Sequence, residues 1–354
     1  MSLNELKMQT MTAVVEDIKS PNTFLTRFLY SRRRPVETET IRIDTRSRGR
    51  IIAPFVRVNG EGIMVPGREA SGYSVTAPNI RIKRPFTPSE LLYNRQPGGV
   101  FFNPAAGAVG SAVQRHIAED LQDMTDMIAN AEEYLVSRTL QGSVAYEVDD
   151  QEVFEIDYPR ASANNITLST FWDDNDPTEP RPLQDIYRAK EVVNDDGSPA
   201  LTDAILGKEA TAALMELAET GNVPSIKTDS GVRAGSLTLA ENFRDDGVMF
   251  LGELGLIRLW SYTRQADFVD GTTVDLIRPK YAEFVSASAA ADRVMYYGAI
   301  PDMDALRGRR YVGRRFAKSW SVPDPSGYMG LVHSRPLPVP RRPNASVSMK
   351  VVSG

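Results

Sequence analysis

The longest regular pattern of apolar positions in the chain lies between residues 111 and 141. Its members recur every three or four residues: Val113, Ile117, Leu121, Met124, Ile128, Ala131, Leu135 and Thr139. This spacing places them on one face of an α-helix of about eight turns. We expect Gly110 and Ser111 to open the helix and Gly142 to close it, because glycine favours helix ends.

The segment before this helix alternates apolar and polar residues, as β-strands do. Three stretches carry the alternation: 36–44, 51–58 and 79–83. A Gly-rich stretch from Asn59 to Gly72 separates the last two, which predicts a long hairpin with a weakly apolar tip. Ordering backbone costs about 1–2 kcal/mol per residue, and this segment has few large apolar groups to offset that cost. A neighbouring subunit is the simplest partner for burying this extended segment.

Shorter elements flank these two segments. Residues 3–19 predict an amphipathic helix, and Phe24–Tyr30 form a compact apolar patch. A strand is predicted at 153–158 and a domain boundary in the polar, Pro-rich stretch 171–182. The remainder indicates an α+β fold, with helices and strands mixed along the chain. The predicted helices are 183–193 and 207–220, and the predicted strands lie near 200–206, 254–262, 272–278, 294–298, 328–332 and 347–352.

The amino-acid composition excludes several classes of functional site. The chain has 354 residues, 42% of them hydrophobic and 25% charged, which predicts a folded protein of one large domain or two moderate ones. It contains no cysteine and two histidines, so thiol catalysis, disulfides and thiolate or His-rich metal sites are excluded. No signal peptide and no membrane-spanning run of about 20 apolar residues is predicted.

Catalytic motifs are missing or broken. Gly207-Lys208 lacks the rest of a phosphate-binding loop, and the dinucleotide fingerprint that begins at Gly60 has Val65 in place of its third glycine. Asp173, Asp174 and Asp176 could hold a hard cation, but Pro177 interrupts the segment. We therefore predict no catalytic, cofactor-binding or metal-binding residue, and a metal-dependent hydrolase stays as an alternative.

Charge is distributed unevenly along the chain. Residues 27–57 carry nine arginines against three acids, whereas residues 145–220 are rich in acids. Ordinary solvated surface would account for this pattern, and so would opposite charges that meet between neighbouring copies. Binding of nucleic-acid phosphates by Arg32, Arg33 and Arg34 is a third interpretation. Acids interleave with these arginines and aromatic residues are sparse among them, which favours contacts with partner subunits.

Three segments, in their order and spacing, resemble those of a known family. The first is Phe24–Leu29, and the second is Phe154–Arg160 continued by Asn164–Thr167. The third is Arg315–Trp320 with Asp324 and Pro325. Together they resemble the lambda-type major head proteins of tailed bacteriophages, which share the Hong-Kong-97-type capsid fold.

The resemblance implies a division of the chain. Residues 1–45 would be an N-terminal arm and 46–96 an extended loop, the E-loop, that reaches over a neighbour. Residues 97–170 and 301–354 would form a peripheral domain with 111–141 as its spine helix. Residues 171–300 would form an axial domain that packs around capsomer symmetry axes.

The resemblance also implies a function and partners. The chain would assemble with itself into pentamers and hexamers of an icosahedral shell that packages double-stranded DNA without sequence-specific contacts. Few residues precede Phe24, so we expect a separate scaffolding protein, together with a portal and a decoration protein, and no membrane. The shell would assemble in the bacterial host cytoplasm and persist in the virion. The alternatives are a nucleic-acid-binding protein or another particle component, such as a portal or tail protein.

Residues at contacts between copies are predicted from the aromatic patch, the arginine cluster, the loop tip and the acidic stretch. They are Phe24, Phe28, Arg32, Arg33, Arg34, Gly60, Gly62, Arg68, Asp173, Asp174 and Asp176.

Overall fold

The structure is a computed structural model that describes residues 15, 23–46, 70–86, 108–148, 152–174, 181–219, 247–307, 311–324 and 327–354. Its helices are α1 (Phe24–Leu29), α2 (Ala108–Gln141), α3 (Pro182–Asp195), α4 (Lys208–Glu219) and α5 (Met303–Arg307). Strands β1 to β6 are Arg32–Pro35, Thr40–Arg46, Ala70–Thr76, Ile80–Phe86, Ser143–Val148 and Glu152–Asp157. Strands β7 to β12 are Asn165–Thr167, Asp203–Leu206, Val248–Leu254, Ile257–Tyr262, Gln265–Asp267 and Thr273–Asp275. Strands β13 to β18 are Tyr281–Val285, Arg293–Tyr297, Phe316–Val322, Gly327–Ser334, Pro336–Pro340 and Ser346–Lys350.

The predicted long helix is confirmed as α2, a helix of 34 residues and therefore about 51 Å in length. It begins at Ala108, before the expected Gly110 and Ser111, and it ends where predicted. Gly142 has a φ of +96°, a left-handed conformation that glycine adopts without steric cost. Met124 and Ile128 on its predicted apolar face pack against Ala317 and Val332.

A six-stranded sheet forms the largest core, with the strand order β7-β18-β13-β8-β10-β9. Alternate residues of its strands face opposite sides. Ala204, Leu206 and Phe284 pack against α3 and α4, whereas Ile205 and Val285 pack towards α1 and the C-terminal end of α2. Because both faces are covered, β8 is buried along its whole length, and three of its four residues, Ala204, Ile205 and Leu206, are apolar.

This sheet crosses the predicted division of the chain. Strands β7 and β18 come from the stretches assigned to the peripheral domain, yet they pair in one sheet with strands from the axial stretch. Likewise, β14 from the axial stretch lies between β1 of the arm and β17 in a three-stranded sheet. Hydrogen bonding is therefore continuous across the expected boundaries at residues 170 and 300.

One strand of the predicted hairpin lies within the described residues. The strand expected at 79–83 exists as β4, but β4 pairs with β16, from Ile80 beside Ser334 to Phe86 beside Tyr328. Strand β3 instead pairs with β2, from Thr40 beside Thr76 to Arg46 beside Ala70. The pairings of β4 with β16 and of β2 with β3 were not predicted, because period-2 spacing carries no information on pairing. Residues 51–58 and the tip with Gly60, Gly62 and Arg68 lie outside the described residues.

Candidate assembly interface

The N-terminal arm is fastened to the spine helix by one buried carboxylate. Glu133 accepts hydrogen bonds from the backbone N–H groups of Leu25 (2.7 Å) and Thr26 (2.8 Å) and from the Thr26 hydroxyl (2.6 Å). The Tyr262 hydroxyl donates a fourth bond at 2.9 Å. The carboxylate therefore satisfies N–H groups in the first turn of α1, which a helix cannot pair internally.

Burial dominates the electrostatics of this anchor. It raises the pKa of Glu133, and the bonds from Thr26, Leu25 and Tyr262 act against that rise. Burial, followed by the neighbouring Glu133 carboxylate, raises the pKa of Tyr262, so the tyrosine stays protonated and donates. The anchor therefore depends on hydrogen-bond donors from α1 and β10 that contact Glu133, which lies more than a hundred positions from each of them in the sequence.

The aromatic patch of the arm lies inside its own subunit. Phe24 is buried, stacks on Phe28 with ring centroids 5.2 Å apart, and packs against Trp260 at 5.6 Å. Phe28 is half-buried beside the same tryptophan. Phe24 thus belongs to the core between the arm and the six-stranded sheet, and the structure gives it an intrachain role that the sequence prediction had assigned to a neighbouring copy.

The three consecutive arginines of the arm are exposed. Strand β1 consists of Arg32, Arg33, Arg34 and Pro35, and all four residues are exposed. Strand β1 pairs in parallel with β14 and stands at the end of its three-stranded sheet. A charged strand at a sheet edge suits a surface that must resist indiscriminate pairing while offering a specific electrostatic contact.

Arg335 connects the end of the β2–β3 pair that lies near Glu39 and Ala77 to the rest of the subunit. This buried guanidinium donates to the carbonyl oxygens of Ala299 (2.9 Å) and Ala77 (3.1 Å) and lies 3.3 Å from the Glu39 carboxylate. The backbone N–H of Ala77 also donates to the Glu39 carbonyl oxygen. Arg335 thereby joins both ends of the segment that carries the predicted E-loop.

A buried histidine lies next to the residues that follow Ala77. His333 on β16 faces Arg81 across the β4 register, and its Nε2 bonds to Oδ1 of Asn79. Burial, reinforced by the charges of Arg81 and Arg335, lowers the pKa of His333 from 6.5 to about 4, whereas Asp302 acts in the opposite direction. The imidazole is therefore neutral in the folded subunit at neutral pH.

We expect acid to weaken the subunit through His333. The unfolded histidine takes up a proton below pH 6.5 and the folded one only near pH 4, so stability falls as the pH drops between these values. The loss amounts to at most about 3 kcal/mol. Urea unfolding of the dispersed subunit at pH 7, 6 and 5, compared with a His333→Asn variant, measures it. Identical pH slopes for both proteins would show that His333 contributes nothing.

Asp173 of the acidic stretch binds the C-terminal segment of its own subunit. Asp173 accepts bonds from the backbone N–H (2.9 Å) and hydroxyl (2.6 Å) of Ser353. Desolvation alone would raise the pKa of Asp173, but the bonds from Ser353 outweigh it and lower the pKa. Asp174 is exposed, and Asp176 lies outside the described residues. Within the part of the chain that the structure describes, no three His, Asp or Glu side chains are grouped to hold a metal ion.

Two exposed apolar turns escaped the sequence prediction. Leu256 is 81% exposed in the turn between β9 and β10, and Val269 is fully exposed between β11 and β12. The sequence 254–262 was predicted as one strand, although Gly255 signals the break. Asp270-Gly271 is a common hairpin-turn pair that would have revealed the second turn.

The sequence matches a known protein family over almost its whole length. The family model described as phage major capsid protein E matches residues 7–351. The chain belongs to this major capsid protein family. The match favours a shell subunit over the portal, tail, nucleic-acid-binding and hydrolase alternatives.

Individual relatives agree with this assignment. The capsid protein is 25% identical over 247 residues to the major capsid protein of Enterobacteria phage P21, covering 67% of this chain and 68% of the relative. The P21 prophage-derived major head protein of Escherichia coli O6:H1 (strain CFT073) matches to the same extent.

Solved structures show the same fold. A prophage capsid protein of E. coli CFT073 superposes with a TM-score of 0.71 at 18% identity, over 98% of this chain and 99% of the other. A phage-related protein of Bordetella bronchiseptica RB50 gives 0.52 at 13% identity, over 97% and 96%. The predicted family, α+β Hong-Kong-97-type fold and shell function are confirmed. The protein is a structural component of the virion. No helix in the described ranges is long and apolar enough to cross a membrane.

Proposed function

We propose that the capsid protein forms pentamers and hexamers that close into an icosahedral shell around double-stranded DNA, and that it catalyses no reaction. Assembly would take place in the host cytoplasm with a separate scaffolding protein and a portal. A decoration protein would bind the tip of the E-loop, and the DNA would be contacted without sequence specificity. Family membership supports the shell, and exposed residues on the surface of the subunit support its contacts.

Several predicted contact residues lie on the described surface. Obligate interfaces bury about 2,000–5,000 Å² each, so a shell subunit with several neighbours removes a large part of its surface from water. Arg32–Arg34, Asp173 and Asp174 are exposed and Phe28 is half-buried, so these predicted contact residues stay accessible on the described surface.

The turn between β9 and β10 supports the proposal with a specific exposed residue. Leu254 pairs with Ile257, so Gly255 and Leu256 form a two-residue turn with φ values of +58° and +65°. A left-handed leucine costs about 1–2 kcal/mol, and its side chain here points into solvent. Gly255 lies against Leu183 of α3, which is itself exposed, as is Tyr187 one turn further. A strained leucine within an apolar patch indicates a surface that another molecule covers.

Replacement of Leu256 separates assembly from folding. Asparagine tolerates left-handed backbone, so we expect Leu256→Asn to leave the free energy of unfolding unchanged or raise it by up to about 1 kcal/mol. The same change should reduce the yield of shells about tenfold, because it removes an apolar side chain of the interface. Leu256→Met, which keeps the apolar group, is the matched control and should assemble.

Negative-stain electron microscopy measures the outcome, with the chain expressed alone and with a scaffolding protein. Rings and closed shells that need the scaffolding protein support the proposal. Regular shells from the purified chain alone would contradict the need for scaffolding. Full assembly of Leu256→Asn would remove this turn from the interface, and dispersed monomers under every condition would contradict self-assembly.

A further inference from the structure

The hairpin of β11 and β12 ends in an apolar tip. Its strands pair from Gln265 beside Asp275 to Asp267 beside Thr273. At the tip, Val269 is fully exposed and Phe268 is 45% exposed. Monomeric proteins seldom place adjacent apolar side chains at the most exposed point of a turn, because water is the least favourable surrounding for them.

The tip is held rigidly. The backbone N–H of Phe268 donates to the Thr272 carbonyl oxygen at 2.9 Å, and that of Gly271 donates to the Phe268 carbonyl oxygen at 3.0 Å. The Phe268 ring lies edge-on to Tyr134 of α2 with centroids 5.3 Å apart. A Cβ added to Gly271 would meet no atom within 4 Å, so the tip itself stands clear of the described surface. A rigid tip loses little entropy on binding.

The charge of the β11–β12 hairpin indicates what kind of surface binds its tip. The hairpin from Gln265 to Asp275 contains three aspartates and no basic residue. The Thr272 backbone N–H, which donates to Asp270 at 2.8 Å, lowers the pKa of that carboxyl. The hairpin therefore combines an apolar tip with three carboxylates and fits a surface that combines positive charge with apolar stems.

Strand β1 of the arm offers such a surface. It presents Arg32, Arg33 and Arg34 in succession, all exposed, followed by exposed Pro35. Arginine stems are apolar while their guanidinium groups are charged, so a row of them can cover Val269 and pair with aspartates at once.

We propose that the tip of the β11–β12 hairpin (Phe268 and Val269 with Asp267, Asp270 and Asp275) docks on β1 of a second copy of this chain. The contact rests on the proposed self-assembly and specifies one of its interfaces. Each copy donates its hairpin to one neighbour and accepts a hairpin from another, which makes the contact heterologous and able to extend around a ring.

Charge reversal with rescue tests the pairing. We expect Asp267→Arg with Asp275→Arg, and separately Arg33→Asp with Arg34→Asp, to raise the concentration needed for assembly about tenfold. All four changes in one chain should restore assembly to within about threefold of the unaltered protein. Asp195→Arg, an exposed acid at the end of α3, is the control and should change nothing. Failure of the combined variant to recover would overturn the pairing.

A covalent test does not depend on assembly yield. The chain has no cysteine, so Val269→Cys with Arg33→Cys introduces the sole pair of thiols. If the tip docks on β1, the Cα atoms come within the reach of a disulfide, about 7 Å. Mild oxidation of assembled particles should then give a ladder of linked chains on a non-reducing gel. Particles without a ladder would overturn the proposal, and so would dimers formed by Val269→Cys alone, which would show that tips meet tips.

These outcomes separate this contact from the proposed function. If the unaltered chain forms no particles, self-assembly itself fails. If particles form but the reversals, the rescue and the ladder are all negative, the shell stands and the hairpin contact alone is wrong. Circular dichroism of each dispersed variant, unchanged from the unaltered chain, confirms that the substitutions act on association.

Discussion

Glu133→Ala should be among the most damaging single substitutions in the capsid protein. It leaves the N–H groups of Leu25 and Thr26 and the hydroxyls of Thr26 and Tyr262 without their acceptor in a buried site. We expect a loss of about 3–5 kcal/mol in the free energy of unfolding. Glu133→Gln keeps the volume and one acceptor oxygen, so its loss should be about half as large.

Urea unfolding of the dispersed subunit, with hydrogen exchange of residues 23–30, measures this effect. Exposed Glu119 on the same helix supplies the control, and Glu119→Ala should change stability by less than about 0.5 kcal/mol. The arm should lose protection before the six-stranded sheet does. Equal stabilities for the two alanine variants would mean that the carboxylate does not hold the arm.

Arg335→Ala should be nearly as costly, and its effect should fall on the loop. The Ala77 and Ala299 carbonyl oxygens lose their donor, and the Glu39 carboxylate loses its cation. We expect a loss of about 3–4 kcal/mol from these unpaired buried groups and the vacated space. Arg335→Lys should recover less than half, because an ammonium group cannot reproduce the planar fork of the guanidinium.

Hydrogen exchange of β2 and β3 reports on this variant directly. Exchange should accelerate in residues 38–46 and 70–77, while α3 and α4 stay protected. Arg188→Ala, at an exposed position of α3, is the matched control. If exchange rises evenly over the whole subunit instead, Arg335 stabilises the global fold and does not fasten the loop base in particular.

Periodic elements were predicted well because periodicity is a local property of the sequence. The spine helix, helices α3 and α4, and the strands at 153–158 and 294–298 were all expected, and each follows an unbroken spacing of apolar residues. Strand β13 was missed because Tyr281–Val285 is short and carries Glu283 in the middle of the run. That glutamate is buried and paired with Arg278 at 2.8 Å, a partner that spacing alone cannot supply.

The anchoring contacts could not be predicted because they join distant residues. Glu133 lies more than a hundred positions from the arm residues that it binds, and within its helix it resembles many solvent-facing acids. Phe24 was interpreted as a contact with a neighbour, since its partner Trp260 lies far along the chain. Leu256 and Val269 were hidden for the opposite reason, because an apolar residue next to a strand is usually assigned to the core.

The order of strands in the six-stranded sheet has a consequence for protein synthesis. Strand β18, from residues near the end of the sequence, lies between β7 and β13 and pairs with both. A chain interrupted before Ser346 would leave a gap inside the sheet, with β7 detached and the backbone edge of β13 uncovered. Completion of the sheet therefore requires that residues 346–350 have been synthesised. A chain that stops before Ser346 therefore cannot complete the largest core of the subunit, and it leaves unpaired strand edges of the kind that promote aggregation.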